Sequence, residues 1–182
     1  MADPIVALVA TIAHAEPHCG GVTVVAIDGG AASGKSGLAA ELAGGLDEVA
    51  VLHTDDLLDG WTGQFTFWPR LQAGLLTPLS AGRPGRYQRY DWTAGRFAEW
   101  VEVQVVNTLI VEGVSSIEAC AAFVSVPIML QVDRAERERR WVARDGALQP
   151  EWVTWLDNED RYFAAHPPGT GVLVLRSESW LS

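Results

Sequence analysis

Residues 22–36 read VTVVAIDGGAASGKS. Val22 to Asp28 is a β-branched apolar run of the kind that forms a strand buried on both faces. Gly29 to Gly34 is a glycine-rich turn. Lys35 to Ala43 has the pattern of a helix, closed by Gly44 and Gly45. Within this stretch GGAASGKS, Gly29 to Ser36, matches G-x-x-x-x-G-K-[ST], and it lies between a strand and a helix, where that pattern cradles phosphate. Glycines let the backbone wrap closely and aim its N–H groups at phosphate oxygens. The helix start adds a partial positive charge. From average residue usage, a chance match in a chain of this length has odds on the order of one per cent. Gly29, Gly30, Ala31, Ala32, Ser33, Gly34, Lys35, Ser36 and Gly37 are therefore the expected nucleotide-binding residues. Lys35 should reach the outer phosphates, and the Ser36 hydroxyl should ligate Mg²⁺ on ATP.

Further apolar strands are expected at Val49–Thr54, Thr108–Val114, Pro127–Val132 and Val172–Leu175. Helices are expected at Ile5–Ala15, Gly95–Val106, Ile117–Phe123, Arg134–Arg144 and Glu151–Ala165. Asp56–Asp91, rich in Gly, Pro, Trp and Arg, reads as mostly irregular with short helices, a length of loop that signals a binding region. Strands alternating with helices imply an α/β fold, a three-layer sandwich around a five-stranded, mainly parallel sheet. In such sheets ligands bind at the carboxyl ends of the strands. We expect one domain over 1–182, with an acceptor region at about 56–96 and an Arg-rich lid at about 134–145.

The charge balance narrows the function. The 182 residues are 48% apolar and carry a net charge of −10, which excludes disorder and disfavours a general nucleic-acid binder. Twelve of the thirteen basic residues are Arg, and the one lysine is Lys35 in the phosphate loop. Arg clusters at 83–96 and 134–144 suit a small anion, because guanidinium donors form a planar fork. No apolar run reaches the ~20 residues of a membrane span, and no positive charge precedes the apolar stretch within Met1–Glu16. Cys19 and Cys120 make no disulfide framework, so a reduced cytoplasmic setting is expected. The four histidines show no metal-ligand spacing.

The second strand runs into Thr54, Asp55 and Asp56. A carboxylate there lies beside the phosphate loop and could take a proton from an acceptor hydroxyl. Asp55 is favoured as that base, with Asp56 facing the acceptor. Glu112, ending the third strand, could hold Mg²⁺ or contact the acceptor. In GRPGRYQRYDWTAGR, 82–96, the aromatics Tyr90 and Trp92 could stack on a planar substrate while Arg89, Asp91 and Arg96 make polar contacts. Arg137, Arg140 and Arg144 recur on one helical face, where an anion would relieve their repulsion. Arg137 and Arg140 are expected to stabilise the transferring phosphoryl group, and Arg144 to contact nucleotide.

Together these motifs resemble the uridine kinase-like group of P-loop kinases, and within it the short ATP-binding proteins of high-GC Gram-positive bacteria labelled uridine kinase. The resemblance runs from about Val22 to Leu175 and rests on HTDDLLDGW, GRPGRYQRYDW, LIVEGV and the Arg helix ending in Arg144 and Asp145. It implies that Asp55 is the catalytic base, that Tyr90, Asp91 and Trp92 contact a nucleoside, and that the Arg helix is a lid closing over phosphates. The family's His after the Tyr-Asp-aromatic segment has no counterpart, since this chain reads TAGR. Its Ser-Phe-Tyr after the base is replaced by Asp56, Leu57 and Leu58. A kinase for a small hydroxylated metabolite, foremost a nucleoside, is the leading expectation. A nucleotide-binding switch is the alternative, and no Asn-Lys-x-Asp guanine-reading motif supports it.

Overall fold

The β-branched run after Val22 forms β1 (Thr23–Gly29), every residue of which is buried. The computed structural model describes residues 3–176. Before β1 comes α1 (Pro4–Ala13), and after it α2 (Lys35–Gly44), β2 (Val49–His53), α3 (Trp68–Leu71), α4 (Thr77–Ser80), β3 (Gly85–Asp91) and β4 (Arg96–Val103). Then follow β5 (Thr108–Glu112), α5 (Ser116–Ala119), β6 (Val124–Gln131), α6 (Arg134–Asp145), α7 (Pro150–Ala165) and β7 (Leu173–Arg176).

One sheet has the order β2-β5-β1-β6-β7, with every pairing parallel. Alternation along β1 sends its side chains into two cores. Val25 and Ile27 pack with Leu8 and Ile12 of α1 and with Leu38 and Leu42 of α2. Val24 and Ala26 pack on the opposite face with Leu71, Leu75, Trp155 and Leu156. The result is the expected helix–sheet–helix sandwich. No helix among the described residues is long and apolar enough to cross a membrane.

Two expectations are corrected. The segment 95–106 is not a helix: β4 pairs antiparallel with β3, setting Tyr87 opposite Val101 and Tyr90 opposite Phe97. Its Phe97, Trp100, Val101 and Val103 favour a strand, and the deciding partner is β3. The Asp91 carboxylate closes the connection by accepting the N–H groups of Thr93 and Ala94, both at 2.9 Å. The segment 56–91 is also more ordered than expected. It holds a 3₁₀ turn (Thr54–Leu57), a helical run from α3 through a π-turn (Gln72–Leu76) into α4, and β3.

At the carboxyl edge of β1, buried Asp28 accepts N–H groups from Gly29 at 2.7 Å, Ser115 at 2.8 Å and Ile117 at 3.1 Å. Burial pushes its carboxyl up to about 6, against the pull of these N–H groups and of Lys35. It ties the phosphate loop to the chain leaving β5. Gly113, the first residue of that chain, has φ 148°, and a Cβ there would lie 1.7 Å from the Thr54 Oγ1. Gly113→Ala should therefore cost about 3 kcal/mol through combined overpacking and backbone strain. Denaturant titration checks this; an unchanged midpoint would mean that the β2 and β5 exits are not packed as described.

Candidate functional site

Three neighbouring strands deliver the site. β1 leads into the phosphate loop, β5 ends on Glu112 and β2 leads into Thr54 and Asp55. In register, His53 of β2 lies opposite Glu112, and Glu112 lies opposite Ile27 of β1. Parallel register thus places residues 27, 53 and 112 in one row, a closeness that chain separation conceals.

Around the loop, Lys35 is buried and its Nζ donates to the Gly30 carbonyl at 2.9 Å. The Ser36 hydroxyl donates to Glu112 Oε1 at 2.8 Å, and His53 Nδ1 meets the same oxygen at 2.5 Å. Burial opposes a charge on Glu112, but His53, Lys35 and Ser36 outweigh it and hold the carboxyl below its ordinary range. The hydrogen bond to Glu112 in turn raises His53. A charged carboxylate beside a serine hydroxyl fits a hard divalent cation. No three His, Cys, Asp or Glu side chains among the described residues form a protein-only cation cage. A cation here would therefore rely on Ser36, Glu112, water and phosphate oxygens.

The adjacent acids part company. Asp55 lines a cavity of about 590 Å³ next to Lys35, Ser36 and Glu112. It is open to solvent within that cleft, yet protein surrounds it on most sides. This enclosure raises its carboxyl, Lys35 counters, and Glu112 and Asp56 add to the rise. Asp56 instead accepts the Tyr87 hydroxyl at 3.3 Å. Burial, then Asp56, pushes that phenol up to about 12.

Of the hairpin residues expected at an acceptor, only Trp92 lines the cavity; its Nε1 donates to the Asp55 carbonyl at 3.2 Å. Tyr90 packs edge-on behind Trp92, with ring centroids 5.3 Å apart. Arg89 pairs with Glu99 at 2.5 Å, Asp91 caps its own turn and Arg96 faces solvent opposite it. The structure does not bring these last three to the cavity.

The Arg helix also divides. Arg140 and Arg144, with Arg139, line a second cavity of about 510 Å³ against Gly34 to Gly37. Arg137 turns the other way. It is buried, with Nη1 2.7 Å from Glu159 Oε2 and Nη2 2.5 Å from Asp160 Oδ1. Glu159, fully buried, also accepts the Ala31 N–H on both oxygens, at 2.9 and 3.0 Å, and the Trp155 Nε1 at 2.7 Å. Burial raises its carboxyl, against Lys35, Arg137 and these donors. The guanidinium lies so close to the loop that a Cβ on Gly30 would meet Nη1 at 2.2 Å. Sequence reading missed Glu159, whose only signal is an acid inside a helix with Trp155 one turn before it. It also missed His53 and Trp61.

No family model matches the chain, and no curated protein matches it. Solved structures share its fold. A possible uridine kinase from Bacillus stearothermophilus superposes with TM-score 0.68 at 21% identity, covering 93% of this chain and 96% of that one. A candidate fructose transport system kinase from a Silicibacter species gives 0.62 at 21% identity, covering 94% and 98%. A gluconokinase from Sinorhizobium meliloti gives 0.52 at 12% identity, covering 88% of each. At these identities the shared property is the fold, an α/β sandwich on a five-stranded parallel sheet.

Removing one partner from a buried ion pair strands the other. Glu159→Ala should cost about 3–5 kcal/mol by denaturant titration, and Glu159→Gln distinctly less, since it keeps an oxygen for Ala31. Equal losses would mean that the Ala31 contact contributes nothing.

Proposed function

We propose that this chain is an ATP-dependent kinase for a small hydroxylated metabolite. The observation that carries this reading is the convergence of Lys35, Ser36, Glu112 and Asp55 on one side of a phosphate loop, with a walled cavity beside Asp55. A switch that only holds nucleotide has no use for such a cavity. The fold is shared with kinases named for different acceptors, which supports phosphoryl transfer more than any one acceptor. From the sequence alone, a nucleoside is the leading acceptor.

In the proposed reaction Asp55 takes the proton of the acceptor hydroxyl. That oxygen forms a bond to the γ-phosphorus of ATP as the bond to the β–γ bridging oxygen breaks, and ADP leaves. Lys35 and the loop N–H groups hold the phosphates. Ser36 and Glu112 would hold Mg²⁺, whose charge offsets that of the phosphates. Arg140 and Arg144 approach from α6 to balance charge on the transferring group, while Arg137 serves as an anchor beneath the loop. The buried free thiols Cys19 and Cys120 suit a reducing cytoplasm.

The test is a transfer assay with ATP and Mg²⁺, read by mass spectrometry across nucleosides, sugars and other alcohols. Lys35→Ala should lose ATP binding or transfer, and unchanged turnover would remove the proposal. Asp55→Asn should keep ATP affinity and lower kcat by ~10²-fold or more. If Asp56→Asn does so instead, the base is the other acid. Because a base must be ionised and Asp55 is raised, kcat/KM should fall on the acid side with a midpoint above the ~4 of a free aspartate. A midpoint at or below that value would argue against Asp55.

A further inference from the structure

Five tryptophans line the cavity beside Asp55: Trp61, Trp92, Trp141, Trp152 and Trp155. They form two groups. Trp61 meets Trp92 and Trp155 edge-on, with centroids 5.2 and 5.6 Å away. Trp141 and Trp152 stack at 5.2 Å with an interplanar angle of 27°. Core packing accounts for Trp141 and Trp155, which are buried. It does not account for Trp61 and Trp92, which remain 44% and 38% exposed although they line a cavity and touch each other. They come from separate segments, the loop after β2 and the end of the β3–β4 hairpin, and they meet only at this cavity.

The polar lining is as informative as the aromatic. The charged side chains are Lys35, Asp55, Glu112 and the mutually paired Arg144 and Asp145. The one neutral hydroxyl or amide side chain is Ser36, already bonded to Glu112. Two indole donors are taken, Trp92 by the Asp55 carbonyl and Trp155 by Glu159, while the buried Trp141 Nε1 has no partner. Among the described residues no Asn, Gln, Thr, Tyr or His lines the wall. A polyol enclosed here would have to draw Lys35, Glu112 and Arg144 from the Gly30, Ser36 and Asp145 partners they already hold, and a nucleobase would find no amide to read its edge; both weaken binding. Aromatic faces instead reward a flat ring poor in hydrogen-bonding groups.

We propose that the acceptor is an alcohol carrying an aromatic ring, held between the tryptophans with its hydroxyl at Asp55, in preference to a free sugar or nucleoside. This rests on the kinase reading only for the fate of the hydroxyl. The ring site itself can be tested by binding. Isothermal titration of the protein with indole-3-ethanol and 2-phenylethanol, against uridine and gluconate, measures it directly. The aromatic alcohols should bind at least ~10-fold more tightly than uridine, the worth of one good stacking contact. Trp61→Ala and Trp92→Ala, each at an exposed position, should each weaken that binding by about 10-fold while leaving ATP affinity unchanged. Tighter binding of uridine or gluconate, or indifference to both substitutions, would falsify the ring site. Ring binding without any phosphorylated product in the presence of ATP and Mg²⁺ would leave the ring site standing and remove the kinase reading. A phosphorylated sugar or nucleoside, with no ring binding, would do the reverse.

Discussion

The Arg137–Glu159 ion pair is the contact on which the site's shape depends. Both side chains are buried, and the carboxylate also holds the Ala31 N–H of the phosphate loop. Desolvating two charges is expensive, so such a pair contributes little net stability and much positional certainty when its remaining hydrogen-bonding groups are satisfied. Here they are: Trp155 and Ala31 take up the carboxylate, and Asp160 takes the second guanidinium nitrogen. The pair therefore fastens α6 and α7 to the loop at one point. It also fixes Trp155, which reaches from that point into the wall of the cavity.

Parallel strands impose the other half of the geometry. Their carboxyl ends share an edge, so whatever follows β1, β2 and β5 is gathered there regardless of distance along the chain. Lys35, Asp55 and Glu112 are far apart in sequence and line one cavity. Glu112 is the meeting point, since Ser36 and His53 share its Oε1. That sharing holds a buried carboxyl below its ordinary range beside the loop, which favours the charged state a cation would need.

These two devices explain what the sequence disclosed and what it concealed. The strands of the parallel sheet were legible as apolar runs, β1 most clearly as a buried β-branched one, and the loop by its spacing. Both are local signals. The hairpin was opaque because the pairing of β3 with β4 slips in register between Gln88 and Tyr90 of β3, and neither strand is buried on both faces. Asp55 and Glu112 were legible because strand ends are legible. Glu159 was not, because an acid in the middle of a helix reads as solvent-facing until the helix is seen against the loop. Of the tryptophans only Trp92 was legible as a ring that could stack on a substrate; the convergence of 61, 92, 141, 152 and 155 is a property of the tertiary fold alone.

The Arg helix shows how the same residue type takes opposite roles by burial. Helical spacing put Arg137, Arg140 and Arg144 on one face, but a face about 100° wide spans both the protein and the cavity. Arg137 falls on the protein side and is committed. Arg140 is paired with Glu136 at 2.6 Å in a partly buried contact, and Arg144 with Asp145 at 2.6 Å nearer solvent. An exposed pair such as Arg144–Asp145 is worth only ~0–1 kcal/mol. A polyphosphate in the adjoining cavity could outcompete it at little cost, whereas extracting Arg137 would strand Glu159. The outer arginines can therefore exchange partners while the inner one holds the helix in place.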